Sequence, residues 1–238
     1  MPPHEFWQQV YPPASFRAED RYGDRFPATF RDGRQIVLPI RQLPDGKHAL
    51  ASLIINQASF AVQDAIAEGL AAELAPFDPD VIIGLPTLGL TVASGVARKL
   101  GHARYVPLGT SLKFWYEERL SVPLSSITSP GHNKRLYVDP RMLPLMEGSR
   151  AALVDDVTSS GVSMAAGIDL ITACGIEPVV LGVAMLQTRR WGRRLAEIDE
   201  HWPQLMRAVF ETPMLVRQPD ATWAVEQRLT DSVISQFE

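Results

Sequence analysis

The sequence is short of most features that assign a protein quickly. Its 238 residues include one cysteine, Cys174. One thiol cannot form an internal disulfide, which removes the secreted disulfide scaffolds and suits a reducing compartment. No apolar run approaches the roughly 20 residues of a membrane span. The amino-terminal MPPHEFWQQVYPP has neither the basic nor the apolar half of a secretory signal, so a cytoplasmic location is the expectation. There is no excess of positive charge: 23 Lys and Arg against 27 Asp and Glu leave a formal charge of −4. The bulk charge therefore favours neither nucleic acid nor an anionic membrane, and any phosphate must be recognised locally. Repeats and low-complexity tracts are absent. What is present is 46% apolar content, enough to bury one sizeable core.

Periodicity organises that content as alternating strands and helices. Residues 35–40 (QIVLPI) and 48–54 (HALASLI) flank Pro44, Asp45 and Gly46, which predicts a β-hairpin. Pro39 implies that the first of these is an edge strand. Residues 57–75 place Phe60, Val62, Ala65, Ile66, Leu70 and Leu74 at near-helical spacing, an amphipathic helix. Residues 81–84 (VIIG), 104–108 (RYVPL), 151–154 (AALV) and 178–186 (PVVLGVAML) are short unalternating apolar runs, the pattern of strands buried on both faces of a parallel sheet. The expected fold is α/β, a doubly wound and mainly parallel sheet flanked by helices.

Residues 151–163 (AALVDDVTSSGVS) carry the most chemistry. The strand is expected to end at Asp155 and Asp156, on the edge where open α/β sheets place ligands. Two adjacent carboxylates repel unless sugar hydroxyls or a divalent cation intervenes. Thr158, Ser159, Ser160, Gly161 and Ser163 then open a helix, whose unpaired N–H groups and positive dipole end favour a phosphate, with small residues allowing close approach. Acids for sugar hydroxyls beside a loop for a terminal phosphate outline a ribose 5-phosphate site.

This run resembles the signature of type I phosphoribosyltransferases, which bind phosphoribosyl pyrophosphate (PRPP). Thr158 stands where an aliphatic residue is usual, and serines replace the common threonines at Ser160 and Ser163. The resemblance implies further assignments. Pro86, Thr87, Leu88 and Gly89, between strand and helix, take the pyrophosphate loop, although no Lys or Arg sits there as it does in many relatives. Residues 110–144 take a flexible loop that closes over PRPP, with Lys113, Lys134 and Arg135 as cations for the leaving group; Asp139 is a weaker candidate as an acid and His132 as a proton carrier. Phe114, Trp115, Tyr116 and Tyr137 are expected to pack the base of that loop. Mg2+ is the implied cofactor, held at Asp155 and Asp156, indirectly through water and sugar oxygens.

By the same resemblance, residues 1–56 belong with a variable hood, 57–188 form the PRPP-binding core and 189–238 are a carboxyl-terminal extension. Residues 25–32 (RFPATFRD) loosely resemble the amino-terminal segment of adenine phosphoribosyltransferases, making Phe26 a candidate for stacking on a base. The implied activity is transfer of ribose 5-phosphate from PRPP to a purine-like base with release of pyrophosphate, in nucleotide metabolism and purine salvage. The expected partners are these small molecules and a second copy in a homodimer, with no nucleic acid or membrane. The alternative is a PRPP-sensing protein that keeps the pocket without transfer. The basic stretch Arg189, Arg190, Trp191, Gly192, Arg193 and Arg194 reads as a solvated helix opening; the alternative places one arginine on the acceptor or on a partner subunit.

Overall fold

The structure, a computed structural model, describes residues 1–124 and 134–226. Strands β1 (Arg25–Thr29), β2 (Gln35–Gln42) and β3 (His48–Ala51) pair antiparallel in sequence order. The predicted hairpin joins β2 to β3. In its turn the Asp45 carboxylate accepts from the N–H groups of Lys47 (2.9 Å) and His48 (3.0 Å), and Gly46 takes the left-handed φ of +70°. Pro39 is not on an edge. The first half of β2 pairs with β1 and the second half with β3, and Pro39 sits at the handover, opposite Arg25. Each stretch of backbone there has one neighbour, so the missing N–H costs no ladder bond.

Helix α1 (Phe60–Leu74) starts at Ser59, whose hydroxyl accepts from the Val62 N–H. Its inner face is the predicted one except at Phe60, which is 83% exposed at the first turn. Strand β4 (Val81–Gly84), helix α2 (Gly89–Lys99) and the short strand β5 (Val106–Pro107) follow. Strands β6 (Ser121–Pro123) and β7 (Arg135–Tyr137) make an antiparallel ribbon within the interval expected to be loop. Next come β8 (Ala151–Thr158), α3 (Val162–Ala173), β9 (Pro178–Gln187), α4 (Arg190–Ala196), α5 (Trp202–Leu205) and β10 (Met206–Thr212). Strands β11 (Met214–Arg217) and β12 (Trp223–Val225) return to the amino-terminal sheet.

Two five-stranded sheets result. The core sheet runs β10–β9–β8–β4–β5 with every pair parallel, and it takes its edge strand β10 from beyond residue 188. Helices α1 and α2 cover one face; α3 covers the other. The all-apolar strands follow from this covering of both faces. The second sheet, β1–β2–β3–β11–β12, is antiparallel and draws on both ends of the chain. It is tied to the core by Arg31, whose N–H and Nε donate to the carbonyls of Val209 (3.0 Å) and Ala208 (2.9 Å). Gln187 adds a bond from its amide to the Ala51 carbonyl (2.7 Å), and the rings of Phe30 and Phe210 stack at 5.3 Å. One apolar cluster runs through both sheets, including Ile36, Leu38, Leu70, Leu74, Val180 and Val209.

Leu70 is fully buried in α1 and lies against Gly182 of β9. Leu70→Ala is expected to destabilise the protein by about 2–5 kcal/mol, the range for an aliphatic core truncation. A urea titration should show a lower midpoint with an unchanged slope.

Candidate active site

The two acids lie where parallel strands deliver their ligand contacts, but inside the strand. β8 runs through Asp155 and Asp156 and ends at Thr158, because pairing with β9 continues to the Thr158–Leu186 register. Thr158 is thereby a buried strand residue, 3% exposed, and not part of the turn. The turn is Ser159, Ser160 and Gly161. Gly161 takes a φ of +85°, the left-handed region that glycine enters without cost, and α3 begins after it with no side-chain cap. The first N–H groups of α3 therefore have no side-chain cap, a geometry that suits an anion, and the partly buried Ser160 and Ser163 lie beside them.

Asp155 is buried, and its Oδ1 accepts from the N–H of Asp156 at 2.9 Å. The start of α2 presses on it. A methyl group at Gly89 would fall 2.5 Å from Asp155 Oδ1 and 2.8 Å from its Cα. Gly89 therefore serves as the gap through which helix and acid meet, while Pro86, Thr87 and Leu88 bridge β4 to α2 above it. The Leu85 N–H donates to the Val154 carbonyl at 2.8 Å, fixing this loop to β8. The Pro86–Thr87 peptide is cis. Loop, acid pair and serine turn thus share the carboxyl edge of the neighbouring strands β4 and β8.

Burial pushes the Asp155 carboxyl well above the ordinary carboxylate range, and the Asp156 charge pushes it further. Burial also raises Asp156. Hydroxyl donors or a cation beside the pair would oppose both shifts.

The other expected residues are placed differently. Lys113 and Lys134 are exposed. Arg135 is engaged in the ribbon, donating to the Ser121 hydroxyl (2.9 Å) and carbonyl (3.1 Å). Among the described residues, no hydrogen bond or ion pair joins these three cations to residues 155–163. Asp139 caps the turn of 3-10 helix Pro140–Leu145 and pairs with Arg141, whose guanidinium holds its carboxyl down at about 2. It stays ionised at neutral pH and has no proton to give. Trp115 donates to Asp139 at 3.3 Å and the rings of Tyr116 and Tyr137 meet at 5.8 Å, whereas Phe114 is 97% exposed. Phe26 is a core residue of the antiparallel sheet, 8% exposed with its ring 4.9 Å from Tyr22, because its β1 side faces inward. His132 lies outside the described residues.

Sequence reasoning did not place Arg190 at the serine turn. Its Nη2 donates to the Ser159 hydroxyl at 3.3 Å, so the basic stretch lies at the turn. The available signal was position: Arg190 follows β9, and the carboxyl ends of parallel strands share one edge.

The family whose description is "Phosphoribosyl transferase domain" matches residues 51–206, more than half of the chain. The chain belongs to that phosphoribosyltransferase family. A curated relative, the orotate phosphoribosyltransferase of Halorhodospira halophila, is 27% identical over 126 residues, 53% of this chain. The match spans about half, 52%, of that relative's length. Among solved structures, the adenine phosphoribosyltransferase of Rhodothermus marinus aligns with a TM-score of 0.54 at 19% identity, covering 72% of this chain and 93% of that one. The adenine phosphoribosyltransferase of Giardia lamblia aligns at 0.51 and 18%, covering 63% and 80%. These structural likenesses show the type I phosphoribosyltransferase fold.

An acid with a raised folded-state pKa binds more protons folded than unfolded. Its cost is absent below the unfolded pKa and grows as pH rises through the folded one. Asp155→Asn is therefore expected to raise the unfolding temperature at pH 7.5, by about 2–4 °C for each kcal/mol relieved, and to lose that advantage toward pH 4. Thermal melts across this pH range check it.

Proposed function

We propose that this protein transfers ribose 5-phosphate from PRPP to a nitrogenous base, purine-like in the first instance, releasing pyrophosphate. The observation that carries the reading is the acid pair, Asp155 buried and Asp156 partly so, between two loops on one sheet edge. The serine turn and the start of α3 bind the 5-phosphate, Asp156 and Asp155 take the ribose hydroxyls, and the loop of Pro86, Thr87, Leu88 and Gly89 receives pyrophosphate through its backbone. Binding both ends orients the sugar for attack by the acceptor nitrogen at the anomeric carbon. Supporting comparisons come from neighbours of the same fold: the Giardia enzyme was solved with 9-deazaadenine, and a Trypanosoma brucei adenine phosphoribosyltransferase with AMP, pyrophosphate and ribose 5-phosphate.

The donor set fits Mg2+ in an indirect role. Asp155 and Asp156 offer hard oxygens and a like-charge pair that a cation would relieve, and among the described residues no cluster of three or more acidic, His or Cys side chains forms a closed metal cage. When bound alongside PRPP, the ion would neutralise charge developing on pyrophosphate. Lys113 is assigned to the same charge, which places it in transfer and not in ground-state binding.

One feature favours a second reading, a PRPP sensor without turnover: residues 85–89 contain no cation. The deciding experiment incubates the protein with PRPP, Mg2+ and a panel including adenine, guanine, hypoxanthine and orotate while following pyrophosphate. Base-dependent release supports the transferase, with a purine favoured. Tight PRPP binding with no release supports the sensor, and absence of PRPP binding overturns both. Asp156→Asn is expected to weaken PRPP binding at least tenfold by calorimetry, whereas Lys113→Ala should lower kcat with little change in PRPP affinity.

A further inference from the structure

A phosphate dianion seated at the serine turn would lie beside two carboxyls, in a stretch, residues 155–163, that contains no Lys or Arg. Compensating charge has to come from another element. Helix α4 is packed against the turn: a methyl group at Gly161 would meet the Trp191 Cα at 3.1 Å, the Trp191 carbonyl at 3.2 Å and the Arg194 Cβ at 3.2 Å. At the start of α4, Arg190 reaches the turn itself, donating from Nη2 to the Ser159 hydroxyl. Its Nε is buried and has no hydrogen-bond partner in the structure. A guanidinium with an unsatisfied buried donor is held where a further acceptor is worth more than in water.

We propose that Arg190 is a positioning residue of the sugar-phosphate loop, clamping Ser159 from α4 and supplying the positive wall against which the 5-phosphate of the ligand is held. The inference rests on the proposed PRPP site and adds to it a contact from outside the signature. Because its hydrogen bond fixes Ser159, Arg190 sets the shape of the turn. Because its charge stays with the turn, it offsets Asp155 and Asp156 when a dianion arrives. Its neighbour Arg193 is exposed on the same short helix and has no bond to the turn, so it gains or loses the same unit charge without the geometry.

The test is calorimetric titration of wild type, Arg190→Gln, Arg193→Ala and Ser159→Ala with PRPP, ribose 5-phosphate and pyrophosphate, each with Mg2+. Arg190→Gln is expected to weaken ribose 5-phosphate and PRPP by about tenfold or more, as for loss of a charge-assisted contact. Pyrophosphate should bind as before, and Arg193→Ala should match wild type for all three. Ser159→Ala should repeat the selective loss in smaller measure, and a double variant should lose less than the sum of the two. Arg190→Gln with wild-type affinity for ribose 5-phosphate, or a loss no greater than that of Arg193→Ala, overturns the inference. If Arg190→Gln does not fold, unchanged ribose 5-phosphate affinity in Ser159→Ala overturns it instead. A wild-type protein that binds no PRPP refutes the underlying site, and that outcome is distinct from the others.

Discussion

The close approach of Gly89 to Asp155 is the contact on which the site depends. A helix that starts at a glycine can bring its backbone against a neighbouring strand, and here it lands on a carboxyl group. That approach sets the pyrophosphate-loop candidate against Asp155 and helps to bury it. Removing water is what raises its pKa. A buried carboxyl of this kind is poorly placed for stability, which argues that the position answers to ligand binding and not to folding.

The surrounding architecture serves to hold that edge still. All five core strands run parallel, so every loop at their carboxyl ends reaches the same side of the sheet, and helices on both faces leave that edge as the open one. The antiparallel sheet is built from the two ends of the chain and is docked by Arg31, Gln187 and the Phe30–Phe210 stack. β3, β9 and β10 therefore form one continuous body at the side of the site. Here Arg190 follows β9 directly and is carried to the turn by the same geometry that places Asp155.

The strands and the serine turn were legible because both are local. Unalternating apolar runs reveal strands covered on two faces, and small residues before an apolar helix reveal an anion-competent turn. Strand pairing was not legible. β8 runs on past the acids because β9 continues beside it, and Pro39 sits inside a sheet because β2 changes partners halfway; neither fact is contained in the residues concerned. The same holds for the antiparallel sheet, whose β3–β11 pairing joins residues near 50 to residues near 215. Phe26 carried the right chemistry for stacking, but its inward side of β1 sends it into the core. The contact of Arg190 with the serine turn was hidden because a basic run has the same composition whether it is solvated or abuts a turn.

Charge placement is the deeper question that these contacts raise. A protein that only holds PRPP needs cations wherever the resting ligand is negative. A transferase needs them where charge increases as the sugar departs, since stabilising ground and transition states equally lowers no barrier. In this chain the cation fixed at the serine turn is Arg190, and in the proposed reading it faces the end of the ligand whose charge stays constant. The loop proposed for pyrophosphate offers backbone and no cation of its own, so in that reading the charge that develops on departure falls to Mg2+ and to Lys113, which is exposed. An anchor at the constant end with a separate cation at the changing end is the division of labour that differential binding requires, and under the proposed function it would account for residues 85–89 lacking a lysine or arginine.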